Sequence, residues 1–414
     1  MGMDVNKIRE DFPILSLTLP NGKKLVYLDN AATTQKPVQV VRKVFEVYRE
    51  SYANIHRSGH YLAQKASRIF EEVREKASKF INASDPNEVI FVWNTTHGIN
   101  LIAIPLLELS KKKGKKEVLI STMEHHSNML PWRRAASLLG LDVKYIPVNA
   151  DGTLNYDSLE QLISKNTAVV ALTHASNVTG VVNDVKRVAR LAHENEAFIV
   201  VDGAQYAPHA KVDVKEIDSD FYVFSGHKML APEGTGVLFG KKEILKQLNP
   251  LITGGGTIKD VTLDDVVYLE PPHRFEAGTP NIAGVAGLGE AIDYLERVGL
   301  DNILNHEKIL LGKALKRSAE LEKIIVYGPK TIDKRLGIFS FNFRGLNPHI
   351  AGQILNEDYG IAVRTGLHCA HPYHYALGAN EGTVRASFYL YNTIEEIDYL
   401  MDSLVNMERT ILKT

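Results

Sequence analysis

The stretch "FYVFSGHKMLAPEGTG", residues 221–236, sets Lys228 behind an apolar run that closes on Ser225, Gly226 and His227. Pro232, Gly234 and Gly236 follow it. A surface lysine needs no such setting, and most lysines are exposed and structural. An amine condenses with a carbonyl only when partly desolvated and depressed in pKa, which is what the end of a buried strand supplies. Asp202 ends another apolar run, in "FIVVDGAQ" (198–205). Alone it reads as a cap or turn residue. A carboxylate leaving a buried strand is nevertheless costly unless a cation or donor meets it. Beside a lysine it reads as the acid that keeps a ring nitrogen protonated. Gln205, three residues on, is placed to bond a phenolic oxygen of the same ring.

Two further run ends offer complementary groups. Thr95 and Thr96 in "NTTHGIN" (94–100) open a helical pattern, so backbone N–H groups and two hydroxyls make an anion site. Taken alone the segment is an ordinary N-cap. Ser225 and His227 add donors for the same anion. His125 in "MEHHSNMLPW" (123–132) could lie flat on an aromatic ring, although a lone histidine is more often structural. The set describes a pocket for a phosphorylated pyridine aldehyde: anion at Thr95, Thr96, Ser225 and His227, ring nitrogen at Asp202, phenol at Gln205, aldehyde carbon at Lys228. Pyridoxal 5'-phosphate is the cofactor of that shape, and no metal is expected.

These groups need strands to carry them. Runs at 88–93, 117–122, 142–148, 167–176, 197–204 and 221–226 are apolar, several without alternation, as in strands covered on both faces. Helical patterns at 98–110, 128–140, 155–164 and 184–196 lie between them. This alternation predicts an α/β fold with a mostly parallel sheet and chemistry at the strands' carboxyl ends. "LITGGGTI" (251–258) reads as a glycine-rich turn beyond the last sheet strand, and 275–290 leads into a long helix. A helix (301–322), strands (338–343, 361–364, 384–389) and a final helix (393–412) form a smaller α/β domain. The expected division is 25–285 for the large domain, and 1–24 plus 286–414 for the small one. A chain of 414 residues suits two domains.

Lys plus Arg is 48 against 49 for Asp plus Glu, so no global field favours nucleic acid or an anionic membrane. "KKKGKK" (111–116) reads as a solvated loop between a helix and a strand. No run reaches the roughly 18 apolar residues of a membrane span, and the charged start "MGMDVNKIREDF" lacks a signal-peptide core. A cytoplasmic location is expected. Cys369 is the one cysteine, so no intrachain disulfide forms. It stands in "RTGLHCAHP", where Arg364, His368 and His371 favour a thiolate more than packing would require.

The sequence resembles the cysteine desulfurases of the SufS type, in the class V aminotransferase group of fold-type I pyridoxal phosphate enzymes. The resemblance rests on "YLDNAATTQKP" (27–37), "YANIHRSGHYLA" (52–63), "EHHSNMLPW" (124–132), "VDGAQ" (201–205), "FSGHK" (224–228), "RFEAGTPN" (274–281), "GIAVRTGLHCAHP" (360–372) and "RASFYLYNTIEEID" (385–398). It implies a Schiff base at Lys228, ring stacking and proton shuttling by His125, and a nucleophile at Cys369. It implies that Arg385 clamps the substrate carboxylate, with Asn177 beside that carboxylate and the phenol. Arg364, His56 and Arg57 are expected among the substrate-binding residues, the last two near the active-site mouth. A homodimer is implied, with Thr279 lent to the partner's phosphate site. The implied reaction takes L-cysteine to L-alanine and a persulfide, with a SufE- or SufU-like carrier or an iron–sulfur scaffold as acceptor. The short loop around Cys369 points to the SufS rather than the IscS branch.

The chain departs from that pattern at Leu367, where a histidine is usual, at Ala231 and Glu233 in the lysine turn, in "GGGTI", and in "NVTGVVNDV", which lacks a proline. These bear on loop conformation and the acceptor more than on the cofactor. Three rivals are a selenocysteine lyase, which needs no thiol, another class V aminotransferase, and a scaffold that has lost turnover. Selenocysteine turnover, pyridoxamine phosphate formation and a colourless purified protein would identify them in turn. No "GxxxxGK[ST]" stretch and no convincing "GxGxxG" supports a nucleotide site.

Overall fold

A computed structural model describes residues 3–410. Its fifteen strands are β1 (Val26–Tyr27), β2 (Val89–Val92), β3 (Glu117–Ser121), β4 (Asp142–Ile146), β5 (Thr167–Thr173), β6 (Phe198–Asp202), β7 (Phe221–Ser225), β8 (Gly236–Gly240), β9 (Ile258–Val261), β10 (Val266–Tyr268), β11 (Ile324–Tyr327), β12 (Ile338–Phe343), β13 (Ile361–Ala362), β14 (Arg364–Gly366) and β15 (Thr383–Ser387). Seven of them make one sheet in the order β2-β8-β7-β6-β5-β3-β4. The neighbours from β7 through β4 pair in parallel, and β8 runs antiparallel to both β2 and β7.

Every residue of β5 and β7 is buried, which explains their lack of alternation. Along β5, Val170 and Leu172 join one core while Val169 and Ala171 join the other, so successive residues feed opposite faces. The expected helices appear as Thr95–Lys112, Leu130–Leu139, Tyr156–Leu162 and Val185–Glu194. All six strands expected for this sheet are present. The glycine-bounded segment 236–240, given no strand in the sequence reading, is the buried strand β8, whose Val237, Leu238 and Phe239 fill the sheet.

A second sheet, β11-β12-β15-β14, is antiparallel and carries its own core with the helices Leu300–Ser318 and Ile394–Thr410. Residues 411–412 of the expected last helix lie outside the described residues. The strand expected at 361–364 is two: β13 pairs with β1, and β14 pairs with β15.

Two N-terminal helices, Val38–Glu50 and Tyr61–Phe80, escaped the sequence reading. The helix Ile282–Val298 packs against both. A Cβ at Gly287 would meet Val44 Cγ2 at 2.9 Å, and one at Gly289 would meet Val73 Cγ2 at 2.6 Å. Glycine there permits the close approach. Residue 285, the expected boundary, lies inside this helix.

Candidate active site

The strand ends converge as expected. One cavity of about 220 Å³ is lined by Thr95, Thr96, His125, Asn177, Asp202, Gln205, Ser225, His227, Lys228, Arg364, Cys369 and Arg385. Those residues come from the exits of β2, β3, β5, β6 and β7 and from β14, β15 and the loop between them. The helix Val185–Glu194 joins β5 to β6, and their parallel pairing sets their carboxyl ends side by side.

Lys228 closes a single 3₁₀ turn, Gly226–Lys228, directly after β7. Burial pushes its amine down to about 8, against the opposing pull of Asp202. Asp202 is buried at the end of β6, and its Oδ1 accepts from the Ala204 backbone N–H (2.9 Å). Burial raises its carboxyl above the usual carboxylate range, with the Ala204 bond and Lys228 working the other way. Gln205 donates from Nε2 to the Ala31 carbonyl (2.7 Å), while its Oε1 is buried without a partner among the described residues.

At the start of the helix Thr95–Lys112, the Thr95 N–H donates to Ser225 Oγ (2.9 Å), and the two hydroxyls lie 2.8 Å apart. Thr96 Oγ1 meets Ser127 Oγ at 2.7 Å. Ser127 also lies 2.8 Å from His125 Nδ1, so hydroxyls and imidazole form one chain. Burial, followed by Lys228, lowers His125 to about 3, which makes it a neutral ring at working pH. His227 falls to about 4, again first from burial. Its carbonyl accepts from the Thr34 N–H (3.0 Å), Thr33 Oγ1 (3.0 Å) and Lys36 Nζ (3.1 Å), binding the segment after β1 to the lysine turn.

The other wall carries the thiol. Arg364 Nη2 lies 3.8 Å from Cys369 Sγ. His368 and Cys369 both have left-handed backbones, φ 44° and 55°, an arrangement few side chains adopt without support. That support is visible: the His126 N–H donates to the Cys369 carbonyl (2.7 Å), Asn177 Nδ2 to the His368 carbonyl (2.8 Å), and the Ala370 N–H to the Leu367 carbonyl (2.8 Å). Leu367 therefore keeps the turn closed through its backbone. Behind the loop, a Cβ on Gly382 would sit 2.2 Å from the Gly366 carbonyl carbon, so only glycine lets β14 lie this close. His368 bonds Thr383 Oγ1 through Nε2 (2.9 Å), and burial holds its pKa well below the usual histidine value. It is thus a neutral packing group in the described structure. His371 packs its ring at 4.7 Å from that of His126. Of the three groups expected to favour a thiolate, Arg364 is the one in recorded contact with the sulfur.

Thr279, His56 and Arg57 do not join this cavity. All three are exposed and line a second one, which shares no residue with the first. The turn holding His56 and Arg57 lies between the helices Val38–Glu50 and Tyr61–Phe80, and Thr279 just precedes the helix Ile282–Val298. The packing of that helix gathers them away from the strand ends of their own chain. His56, Glu71 and His273 bring one ligand atom each within 4.8 Å of the others, but Glu71 is already bonded by Arg74 (2.8 Å) and His56 (2.8 Å).

Several wall residues carried no role in the sequence reading. Ala31, Ala32, Asn94, Ser127, Thr173, Ala175 and Ala204 also line the cavity. Glu124 lies fully buried beneath, accepting from the Thr173 N–H (2.9 Å) and Asn128 Nδ2 (2.6 Å) and bonded to Ser121. "EHHSN" marked the stretch, but its histidines drew the reading.

The residues present fit a phosphorylated pyridine aldehyde. A buried acid without a bonded cation lines the cavity, an orphaned amide oxygen lies three residues on, donors cluster at a helix start, and a lysine is depressed towards its free base.

A family model described as aminotransferase class-V matches residues 26–400. A probable cysteine desulfurase of Halalkalibacterium halodurans is 46% identical over 402 residues, covering 97% of each chain. One of Halobacterium salinarum is 44% identical over 399 residues, covering 96% of this chain and 95% of that one. Among solved structures, the apo cysteine desulfurase of Thermococcus onnurineus NA1 superposes with a TM-score of 0.91 at 39% identity over 98% of both chains. The cysteine desulfurase CsdA of Escherichia coli, in an S-sulfonic acid form, gives 0.87 at 34% identity over 97% of this chain and 98% of that one. The architecture is that of the fold-type I pyridoxal phosphate enzymes. A family match over most of its length, joined to full-length likeness in sequence and fold, places the chain in one group: it belongs to the class-V aminotransferase family.

Proposed function

We propose that the chain is a pyridoxal-phosphate-dependent cysteine desulfurase, converting L-cysteine to L-alanine and leaving the sulfur as a persulfide on Cys369. The observation that carries this reading is the single cavity shared by Lys228 and the Cys369 thiol. When bound, pyridoxal 5'-phosphate supplies an aldehyde for the substrate amine and an electron sink for the charge released at Cα. Thr95, Thr96, Ser225 and His227 would hold its phosphate, Asp202 its ring nitrogen and Gln205 its phenolic oxygen, with His125 against its face. Lys228, with a pKa near neutrality, takes the α-proton and returns it. Arg385 holds the substrate carboxylate, and the Asn177 carbonyl fixes the guanidinium by accepting from Nη1 (2.8 Å). Neutral His125, tied to Ser127, passes protons. The Cys369 thiolate forms an S–S bond as the substrate Cβ–S bond breaks. The broken bond's electron pair goes to the carbon side, and proton uptake completes alanine.

Four finer assignments belong to the same reading. The enzyme is a homodimer in which Thr279, His56 and Arg57 complete the partner's cavity. Exposed Val41, Phe45 and Tyr48, on one stripe of the helix Val38–Glu50, support a covered face. It is a cytoplasmic enzyme of the SufS branch, and its acceptor is a SufE- or SufU-like carrier or an iron–sulfur scaffold. No helix among the described residues is long and apolar enough to cross a membrane. The short turn between β14 and His371 supports the branch assignment.

Cys369→Ala tests the function. The variant is expected to keep its bound cofactor while alanine formation from cysteine falls by about 10² or more. Wild-type rates of alanine formation in the variant would overturn the nucleophile and the desulfurase reading with it.

A further inference from the structure

Arg385 is wholly buried, yet its fork is only partly used. Nη1 donates to the Asn177 carbonyl (2.8 Å), Nη2 donates to Asp29 Oδ1 at 3.2 Å, and Nε has no partner among the described residues. Arg74 shows what a finished buried pair looks like in this same chain. Its two terminal nitrogens meet Glu276 Oε1 and Oε2 at 2.7 and 2.9 Å, and Nε meets Glu71 at 2.8 Å. A charge-assisted hydrogen bond of about 2.7–2.9 Å is the ordinary strong kind, so the 3.2 Å contact to Asp29 is a long, single-pronged one. A donor left unpaired in a buried site costs free energy until a ligand meets it.

We propose that Asp29 is a resident carboxylate that occupies one prong of the Arg385 fork until a ligand carboxylate displaces it, and so sets how tightly carboxylate ligands bind. This rests on the reading of Arg385 as the partner of the substrate carboxylate. The backbone around Asp29 is fixed on both sides. The Leu28 N–H donates to the Ala362 carbonyl (2.9 Å), and the Ala31 N–H to Ser387 Oγ (2.9 Å). Only the Asp29 side chain, a quarter exposed, has to rotate away. It faces Arg385, Arg364 and Lys228, so its displacement uncovers a cationic cluster at the moment a substrate carboxylate arrives. Asp29 is a positioning residue: it reads the substrate through Arg385.

Equilibrium binding of propionate and of L-alanine to the holoenzyme tests this, by calorimetry and by titration of the cofactor absorbance. Asp29→Asn and Asp29→Ala are both expected to bind each ligand about tenfold more tightly than wild type, the worth of one charge-assisted hydrogen bond. A structural role would weaken binding instead, and unchanged or weaker binding in the folded variants overturns the proposal. In a crystal of wild-type protein with propionate, Asp29 is expected off Arg385 and the ligand on Nε and Nη2. Retention of the Asp29 contact beside bound propionate overturns the proposal without any variant. Arg385→Lys separates the two layers. If it binds propionate as wild type does, the carboxylate reading itself fails. If it loses propionate while the Asp29 variants gain nothing, only the displacement inference fails.

Discussion

The two walls of the cavity hold their reactive groups differently. On the large-sheet side, each group sits within three residues of a strand end: Asp202 on β6, Lys228 after β7, Thr95 after β2. Their strands are buried, β6 and β7 are paired on both sides and β2 on one, and side chain and backbone are fixed together. On the other side Cys369 sits in a turn whose backbone is bonded to His126 and Asn177 across the cavity, while its sulfur has one long contact, with Arg364. The difference matches the proposed roles. A cofactor must be held in one geometry throughout turnover, so its partners ride on the stiffest part of the sheet. A sulfur nucleophile must face a substrate and then an acceptor, so its Cα is pinned and its side chain is left to turn.

That contrast can be broken from either side. The largest effect is expected at the stiff wall: Asp202→Asn should lower alanine formation by about 10², with the cofactor still attached at Lys228, because a preorganised charge opposite the developing one is lost. Equal activity would show that the buried acid does no electrostatic work. At the loop, Arg364→Ala should reduce alanine formation by about tenfold, since the sulfur loses the guanidinium that contacts it. Wild-type rates would mean that the guanidinium only packs there.

The smallest effect is on stability. Burial raises Glu124 from the ordinary 4.5 to about 8, so the folded protein keeps a proton that the unfolded chain releases. Its contribution is full below about pH 4.5 and is lost as pH rises through the folded value near 8. Glu124→Gln should therefore flatten the decline in denaturation midpoint across that window. A decline as steep as wild type would place the titrating group elsewhere.

Much of the stiff wall could be read from the sequence, because local patterns determine it. Apolar runs ending in Asp202 or Ser225 announce buried strands, and parallel strands bring their ends together wherever the helices between them lie. β8 was hidden because glycines bound it and its three core residues make too short an apolar run to separate from a turn. Asp29 was hidden for a different reason. Nothing in "YLDNAA" announces a partner 356 residues away, and the pairing arises only when β1 docks on β13 and brings the segment to β15. His56, Arg57 and Thr279 resemble a family pattern, but within one chain they meet each other and not Lys228. The role proposed for them depends on a surface that a single sequence does not display.

The most direct test of the central claim is covalent. Purified protein is reduced with borohydride, digested, and its peptides are mapped by mass for a pyridoxyl group. The account predicts one modified peptide, carrying the group on Lys228. A pyridoxyl group on another lysine, or none on a protein shown to contain the cofactor, would contradict it.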